Sequence, residues 1–248
     1  MNGKIMNLFT TETPKCKICL TSSLLYGVTD FNTSCYGSNV HRYNYPLSGH
    51  AIYYYRCPHC GLIYTHAFDG WSNDDFLTHI YNDEYVKYDP NFVSGRAEHN
   101  FKLLCSAFKD IKKIHALDFG CGDGQLVNLL KKAGADITGW DPFNHASPMP
   151  DDTFEFITSF EVMEHTTDPV NTVATIGALL DEHRGKYFFS TLTNDLHQNE
   201  LMNFWYIAPR NGHVTLYSEK SLDILFKTFG MRVKHISELY HLAYKCRE

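Results

Sequence analysis

Four of the eight cysteines stand in two Cys-x-x-Cys pairs, Cys16 with Cys19 and Cys57 with Cys60. Each pair can form a turn that points two thiolates at one ion, and two such turns complete the tetrahedral site that zinc prefers. A site filled by four cysteines leaves no position open for a substrate. The spacing therefore predicts a structural Zn²⁺ rather than a catalytic metal.

The alternative for these cysteines is a redox-active dithiol. A dithiol needs only one pair at the start of a helix, whereas here both pairs lie in a loop-rich segment, which favours metal. Turns of this kind favour glycine at the residue after the second cysteine, where φ is positive. Gly61 stands there in the second turn, and Leu20 replaces it in the first. Cys35, Cys105 and Cys246 have no partner at metal spacing, and we interpret them as free thiols.

A second group of residues surrounds a glycine-rich loop between a predicted strand and a predicted helix. Glycines at 120, 122 and 124 let the backbone approach a ligand, and the start of the helix offers free N–H groups. The loop does not match the dinucleotide fingerprint Gly-x-Gly-x-x-Gly, because Gln125 stands where the third glycine would be. The alternative interpretation is a tight strand-to-helix turn that binds nothing.

Two acidic residues decide between these interpretations. Asp118 precedes the loop, where its carboxylate would repel a pyrophosphate but would attract a ligand with an ammonium and a sulfonium group. S-adenosylmethionine carries both charges. Asp141 ends the next predicted strand and is placed to accept hydrogen bonds from ribose hydroxyls. We predict a site for S-adenosylmethionine that includes Asp118, Gly120, Cys121, Gly122 and Asp141, with Cys121 filling space beneath the cofactor rather than acting as a reactive thiol.

Alternating strands and helices position these groups. The hydrophobic pattern predicts strands over 114–119, 136–140, 154–160, 186–191, 232–236 and 240–245, and helices over 125–133, 169–180 and 218–229. Gly230 is the predicted stop of the last helix. The pattern also predicts an amphipathic helix over 91–113 and a short one over 74–81, capped by Ser72 or Asn73. Such alternation indicates an α/β fold with a mostly parallel sheet covered on both faces.

Three motifs of this region resemble the class I S-adenosylmethionine-dependent methyltransferases. They are LDFGCGDG at 117–124, TGWDP at 138–142 and TFEFITSFEVMEH at 153–165. The resemblance implies a Rossmann-like sheet of seven strands whose last strand runs antiparallel. It also implies that Phe160 and Glu161 lie beside the cofactor and that Glu164 and His165 border the acceptor pocket.

The chain departs from that family between Asp141 and Phe154. The family usually has a third strand and a helix there, and this connection is short enough only for a loop. The usual acidic partner of the adenine amino group therefore has no assignment. Asp151 and a backbone group are the candidates to replace it.

The N-terminal segment has a resemblance of its own. The runs YPL at 45–47 and YRCPHCGLIY at 55–64, with Ile80, Tyr81 and Tyr85, are similar to the zinc-binding N-terminal modules of sugar methyltransferases. The likeness implies a zinc-binding module over 1–90 and a methyltransferase domain over 91–248. It also implies that the acceptor is a sugar, a sugar nucleotide or an intermediate of a polysaccharide or natural-product pathway, which would place the protein in carbohydrate biosynthesis.

A side chain that accepts the acceptor's proton works best with a pKa near neutrality, and the imidazole of histidine has such a pKa. His165 and His213 are the candidates, with Glu164 beside them, and the alternative for each histidine is a structural hydrogen bond. His213 lies in the stretch 192–217, which lacks periodicity and is aromatic, so we expect it to be ordered over a ligand. Arg210 in that stretch either binds an anionic group of the acceptor or is a solvated surface arginine.

Charge and hydropathy limit the partners. A net charge of −6 argues against a partner recognised through its phosphates, so no nucleic acid is expected. No apolar run is long enough to span a membrane or resembles a signal peptide, which favours a cytoplasmic protein. Two other functions remain open, an RNA methyltransferase with an N-terminal zinc finger and a cofactor-binding protein without turnover. The sequence gives no oligomeric state.

Overall fold

The computed structural model describes residues 13–35, 46–89, 95–144 and 148–246. Within these ranges ten strands follow one another along the chain: β1 Leu24–Asp30, β2 Ala51–Arg56, β3 Ile63–Tyr64, β4 Ala116–Phe119, β5 Ile137–Trp140, β6 Phe156–Ser159, β7 Lys186–Ser190, β8 Thr215–Leu216, β9 Met231–His235 and β10 Tyr240–Lys245. The α-helices are α1 Asn73–His79, α2 Tyr85–Tyr88, α3 Arg96–Ala107, α4 Gln125–Lys132, α5 Pro169–Leu179 and α6 Glu219–Lys227.

The larger sheet has the strand order β5-β4-β6-β7-β10-β9. Strands β5, β4, β6 and β7 run parallel, and β10 runs antiparallel to both of its neighbours. The α/β Rossmann-like fold and its antiparallel last strand are thus confirmed. The described residues form six strands of this sheet rather than seven, because the connection from β5 to β6 contributes no strand in its described part. That outcome agrees with the short connection after Asp141.

Helices cover both faces of this sheet because its strands are apolar on both sides. Neighbouring side chains of β7 point to opposite faces, so Phe188 and Phe189 belong to different hydrophobic clusters. Phe188 packs in the cluster with α3 and α4, represented by Leu104 and Leu130. Phe189 packs in the cluster of α5 and α6, which also contains Cys16, Cys57 and Cys60. The cysteine turns therefore share a core with the sheet.

The smaller sheet is antiparallel and has the order β1-β2-β3-β8. Strand β3 pairs with β8 through Ile63 opposite Leu216 and Tyr64 opposite Thr215. The described part of the segment 16–88 is thus more regular than its loop-rich sequence predicts. Strand β1 escapes prediction because most of its residues are exposed or half-buried, so that no apolar alternation marks it.

The largest difference between a predicted and an observed helix boundary is in α3. The helix expected over 91–113 is α3, which ends at Ala107 and is followed by a 3-10 turn over Ile111–Lys113. Residues 91–94 lie outside the described ranges. The short helix α1 begins after Ser72, whose side chain caps it with Asp75 as the reciprocal partner, as predicted for one of the two candidate caps. Gly230 has a φ of +68°, in agreement with its role as a helix stop.

No helix within the described ranges combines the length and the apolar character that crossing a bilayer requires.

Candidate functional site

The four cysteines of the two turns converge on one point. Their Sγ atoms all lie within 4.8 Å of one another, and none of the four is in a disulfide. The Cys16 and Cys60 sulfurs are 3.5 Å apart, and those of Cys19 and Cys57 are 3.4 Å apart. Sulfurs at about 2.3 Å from a tetrahedral zinc ion stand about 3.8 Å from each other. The cluster therefore fits Zn²⁺.

Each turn has the same backbone hydrogen bonds. The N–H of Leu20 donates to the Cys16 carbonyl at 3.1 Å, and the N–H of Gly61 donates to the Cys57 carbonyl at 2.9 Å. The residue after the second cysteine has a positive φ in both turns, +59° at Leu20 and +79° at Gly61. The first turn thus adopts the glycine conformation with a leucine, which costs conformational energy.

Hydrogen bonds join the second turn to the other half of the chain. Ser218 caps α6 and donates its Oγ hydrogen to the Cys60 carbonyl at 2.5 Å, while the Asn194 amide donates to the Gly61 carbonyl at 3.1 Å. The first turn is joined as well, because the buried Lys17 ammonium donates to Asp69 at 2.5 Å and to the Thr167 carbonyl at 2.9 Å. The cysteine cluster is therefore part of the molecule's central packing.

The glycine loop after β4 needs its glycines for different reasons. Gly120 has a φ of +78°, and a Cβ there would lie 2.5 Å from Val162 Cγ2. Gly122 has a φ of +55° and faces open space, so a ligand can approach its backbone. The contact of Gly120 with Val162 places the glycine loop against the turn that carries Glu164 and His165.

Asp118 lies at the end of β4 and is almost fully buried. Its Oδ1 accepts a hydrogen bond from the Thr158 hydroxyl at 2.7 Å. Burial raises the pKa of Asp118 to about 6, and the charge of Asp141 adds to the increase. A cationic ligand group beside Asp118 would favour its ionised form.

Asp141 holds the neighbouring loops with both carboxylate oxygens. Oδ2 accepts from the Gly122 N–H at 2.8 Å, and Oδ1 accepts from the Phe143 N–H at 2.9 Å. The loop beyond Asp141 is tied to the N-terminal half, since the Asn73 amide donates to the Pro142 carbonyl at 2.8 Å. Asp151 is exposed. The structure thus brings Asp141 to the glycine loop.

Three further predicted cofactor residues border the same strand ends. The Glu161 N–H donates to Ser190 Oγ at 3.0 Å, and the Ser190 hydroxyl donates back to Glu161 Oε1 at 3.1 Å. Glu161 has a φ of +55°, and the ring of Phe160, the residue before it, packs against Phe188. Burial raises the pKa of Cys121 to about 12, so its thiolate is scarce at neutral pH, in keeping with a space-filling role.

Glu164, His165 and His213 come together although 213 is distant in sequence. One ligand atom from each lies within 4.8 Å of the other two. Glu164 and His165 occupy a 3-10 turn over Met163–His165, and His213 follows Gly212, whose φ is +86°. The Val214 N–H donates to the Glu164 carbonyl at 2.9 Å, which fixes the two segments side by side.

Backbone carbonyls set the orientation of both imidazoles. Nδ1 of His213 lies 2.8 Å from the Tyr206 carbonyl, and Nδ1 of His165 lies 3.1 Å from the Gly212 carbonyl. A carbonyl oxygen only accepts, so we assign the proton of each neutral ring to Nδ1, which leaves an electron pair on Nε2. Burial lowers the pKa of His213 to about 4 and that of His165 well below its usual value. The titration near neutrality expected from the sequence is therefore absent, and both rings are neutral at pH 7.

Tyrosines that sequence reasoning did not assign complete this group. The Tyr206 hydroxyl donates to Glu164 Oε1 at 2.5 Å, and the Tyr81 hydroxyl oxygen lies 3.0 Å from His165 Nδ1. Tyr206 belongs to the aromatic run at 203–206, which was the available signal for an ordered segment. Tyr81 packs on Phe143 at 5.0 Å between ring centroids, so the same ring contacts the loop after Asp141.

Arg210 lies in the interior of the protein. It is buried, its Nη1 donates to the Ile80 carbonyl at 3.0 Å, and its guanidinium lies 3.9 Å from the centre of the Tyr88 ring. The interpretation as a solvated surface arginine is wrong, because residues 206–218 are buried and Arg210 packs there against Tyr88 of α2. Arg210 fixes the N-terminal half to this segment.

Comparisons with known proteins agree with this arrangement. A family model described as a methyltransferase domain matches residues 85–236. The chain is 32% identical to the ubiquinone biosynthesis O-methyltransferase of Coxiella burnetii (strain RSA 493 / Nine Mile phase I), over 34% of this chain and 46% of that protein. It is 28% identical to the protein of the same name from Aliivibrio fischeri (strain MJ11), over 32% and 44%. The chain thus spans about half the length of the curated relatives it matches.

Solved structures with a similar fold are more distant in sequence. A SAM-dependent methyltransferase from Archaeoglobus fulgidus is 22% identical, with a TM-score of 0.46 over 61% of this chain and 76% of that one. Magnesium protoporphyrin IX methyltransferase from Synechocystis PCC 6803, with bound SAH, is 13% identical, with a TM-score of 0.46 over 60% and 82%. Because the family model matches more than half of the chain, including the glycine loop and the Glu164–His165 turn, the protein belongs to the methyltransferase-domain family.

Proposed function

We propose that this protein transfers a methyl group from S-adenosylmethionine to a hydroxyl group of a small-molecule acceptor. The observation that carries the proposal is the contact between Gly120 and Val162. It sets the loop proposed for the cofactor directly against the Glu164–His165 turn proposed for the acceptor. A methyl group and a nucleophile must meet in line at one place, and this junction provides it.

The cofactor-binding residues proposed are those around the glycine loop. S-adenosylmethionine supplies an electrophilic methyl group on its sulfonium. Asp118 would neutralise the ammonium of the methionine end, and Gly122 lets that end approach the backbone. Asp141 would accept hydrogen bonds from the ribose, while Phe160 and Glu161 close the side facing β7. The buried carboxylate of Asp118 favours a cationic ligand over a pyrophosphate.

The acceptor would lie beside Glu164, His165 and His213. Both Nε2 atoms carry an electron pair, so they can hold the acceptor hydroxyl and receive its proton. His165 remains partly open to solvent, with 16% of its side chain exposed, whereas Glu164 is fully buried. The acceptor therefore enters on the His165 side. The four-cysteine cluster (Cys16, Cys19, Cys57 and Cys60) is proposed as a structural zinc site that stabilises the segments around the acceptor site.

Two observations support the class of acceptor. The curated relatives are named as O-methyltransferases, which favours oxygen as the methylated atom. The N-terminal segment is similar to modules of sugar methyltransferases, which favours a sugar or sugar nucleotide as the carrier of that oxygen. The net charge of −6 disfavours RNA.

A methylation screen tests the proposal. The purified protein is incubated with S-adenosylmethionine labelled in its methyl group and with three acceptor sets: sugar nucleotides, phenolic small molecules and total RNA. We expect label in an ether linkage of a small molecule. Label in RNA would contradict a small-molecule acceptor and would identify RNA as the substrate. Calorimetry on the same preparation should show that S-adenosylmethionine binds, and binding of NAD instead would contradict the cofactor assignment.

A further inference from the structure

We propose that Glu164, His165 and His213 form a binding site for a divalent metal ion, separate from the four-cysteine cluster, and that the cation binds the acceptor hydroxyl. The binding site is argued from the geometry of these side chains alone. Its chemical consequence rests on the methyl transfer proposed above.

The three side chains are spaced as ligands of one ion. Their donor atoms lie within 4.8 Å of one another, and His165 Nε2 is 4.0 Å from Glu164 Oε1. Ligands at about 2.1 Å from a shared cation stand about 3 to 4 Å apart, so the group needs to contract only slightly. Two histidines and one carboxylate on one side of a cation leave further positions open for water or substrate.

The carboxylate of Glu164 has an oxygen that the protein does not use. Oε1 accepts from Tyr206, but the buried Oε2 has no hydrogen-bond partner among the described residues. The Thr191 hydroxyl is likewise buried without a hydrogen-bond partner among the described residues. A fully buried carboxylate oxygen without a partner is costly, and a cation would satisfy it.

The tautomers of both histidines suit a ligand role. Each Nδ1–H is held by a backbone carbonyl, of Tyr206 for His213 and of Gly212 for His165. That arrangement is the usual support of a metal-binding histidine, since it orients the ring and leaves the electron pair of Nε2 for the ion. His165 Nε2 faces Glu164 Oε1 at 4.0 Å.

The surroundings favour a hard or borderline cation. The ligands are one carboxylate oxygen and two imidazole nitrogens, which suit Mn²⁺, Fe²⁺ or Zn²⁺. Cys35 approaches His213 from the Nδ1 side, at 3.8 Å, and so does not supply a thiolate ligand. Glu161 adds negative charge near Glu164. The positive charge of Arg96, which acts on His165 and His213, is offset by its ion pair with Asp89 at 3.1 Å.

The cation would act on the acceptor before methyl transfer. A hydroxyl bound to a divalent ion loses its proton more readily, because the ion lowers its pKa. The cation would occupy both Nε2 electron pairs, so in the transfer the acceptor O–H bond breaks and its proton passes to solvent water instead of to a histidine. The oxygen forms a bond to the methyl carbon, and the carbon–sulfur bond breaks with its electrons returning to sulfur, so that no redox partner is needed.

Manganese binding tests the site without any turnover. The zinc-loaded protein is treated with EDTA, transferred to buffer free of chelator and titrated with Mn²⁺, and free Mn²⁺ is followed by electron paramagnetic resonance. The soft cysteine cluster does not favour Mn²⁺, so binding reports on the oxygen–nitrogen site. We expect about one Mn²⁺ per chain and at least a tenfold weaker affinity in His165→Gln and in Glu164→Gln. His115→Gln is the control, because His115 pairs with Asp136 and Asp152 on the surface, and it should bind as the wild type does.

Wild-type protein that binds no Mn²⁺, or His165→Gln with unchanged affinity, would overturn the inference. If Glu164→Gln fails to fold, the wild-type protein loaded with Co²⁺ decides instead, since weak visible absorption without a sulfur charge-transfer band supports the site and its absence opposes it. Calorimetry with S-adenosylmethionine in EDTA separates the two proposals. Cofactor binding without Mn²⁺ binding overturns this inference alone, and the reverse result overturns the proposed function alone.

Discussion

The backbone N–H of Thr65 donates a hydrogen bond to the carbonyl of Val214 at 3.0 Å. Thr65 follows β3, which begins two residues after Gly61 of the second cysteine turn, and Val214 follows His213. The Tyr54 hydroxyl donates to the His213 carbonyl at 2.7 Å on the same side. The cysteine cluster and the candidate acceptor site are therefore connected by a short stretch of backbone.

Replacement of one cysteine of the cluster should destabilise the protein. We expect Cys57→Ser to lose about one zinc ion per chain and to lower the free energy of unfolding by several kcal/mol, because ligand binding contributes directly to folding. Metal analysis and chemical denaturation measure these changes. Cys105→Ser is the control, since Cys105 lies outside the cluster, and it should keep both the zinc and the stability. Fully folded Cys57→Ser protein with unchanged stability would contradict a structural zinc site.

Replacement of Leu20 by glycine should stabilise the protein. Leu20 has a φ of +59° and its side chain is 71% exposed, so glycine relieves backbone strain at little loss of packing. We expect the free energy of unfolding to rise by about 0.5 to 1 kcal/mol, after the entropy cost of glycine is deducted. Chemical denaturation in the presence of zinc measures this change in the free energy of unfolding. Leu24→Gly is similarly exposed but lies in β1 without a positive φ, and it should destabilise. A loss of stability in Leu20→Gly would contradict the strain argument.

Cofactor affinity should depend on pH through Asp118. Burial raises the pKa of Asp118 to about 6, so the folded protein without ligand holds this proton more tightly than the unfolded chain does. The ammonium of the cofactor requires the ionised carboxylate. We therefore expect affinity to be constant above pH 7 and to fall about tenfold for each pH unit below 6. Calorimetry between pH 5 and 8 measures this dependence.

Asp118→Asn provides the comparison for that titration. It should bind the cofactor more weakly at pH 7, and its affinity should be nearly independent of pH over the same range. An unaltered pH dependence in Asp118→Asn would assign the titration to another group. The raised pKa also means that Asp118 opposes folding as pH rises from about 4 to 6, since the unfolded carboxyl ionises first. Asp118→Asn should remove that loss of stability.

Asp141→Ala should weaken cofactor binding for two reasons. It removes the proposed ribose acceptor, and it releases the Gly122 and Phe143 N–H groups that Asp141 holds. We expect at least a tenfold loss of affinity, because charge-assisted hydrogen bonds contribute about 1.5 to 3 kcal/mol each. Asp110→Ala is the control, at an exposed carboxylate that pairs only with Lys113 among the described residues. Equal affinities of the two variants would move the ribose site elsewhere.

His213→Gln should affect turnover rather than cofactor binding. The glutamine preserves polarity but does not reproduce the basic electron pair of the imidazole Nε2. We expect kcat to fall about hundredfold or more, with cofactor affinity within about twofold of wild type. Single-turnover kinetics and calorimetry separate the two effects. Cys35 contacts the Nδ1 edge of the His213 ring, so Cys35→Ala is the control and should leave kcat unchanged. Unchanged turnover in His213→Gln would remove His213 from the reaction.

Features that depend on local spacing were predictable from the sequence. The cysteine turns, the glycine loop and the strand–helix alternation each follow from residue types a few positions apart. The positive φ of Leu20 is a clear example, because its position after Cys19 alone indicated it. The confirmed fold rests on such local signals.

Features that depend on distant pairing were not predictable. Strands β3 and β8 have two residues each, too few for a period, and only their pairing identifies them as strands. The burial of Arg210 depends on contact with Ile80 and Tyr88, which no local pattern indicates. The hydrogen bond from Tyr206 to Glu164 also joins residues that no local pattern connects. The lowered pKa of His213 follows from its burial, which the sequence does not show.

The pairing of β3 with β8 has a consequence for biosynthesis. During translation the N-terminal strands emerge first, but the edge of β3 stays unsatisfied until Thr215 and Leu216 leave the ribosome. An unpaired edge is a site for association with other chains, and long-range pairing is slow. Zinc captured early by the two cysteine turns would hold β3 in place during that interval. Nascent chains that stop before residue 215 should therefore be the ones most in need of metal and of chaperones.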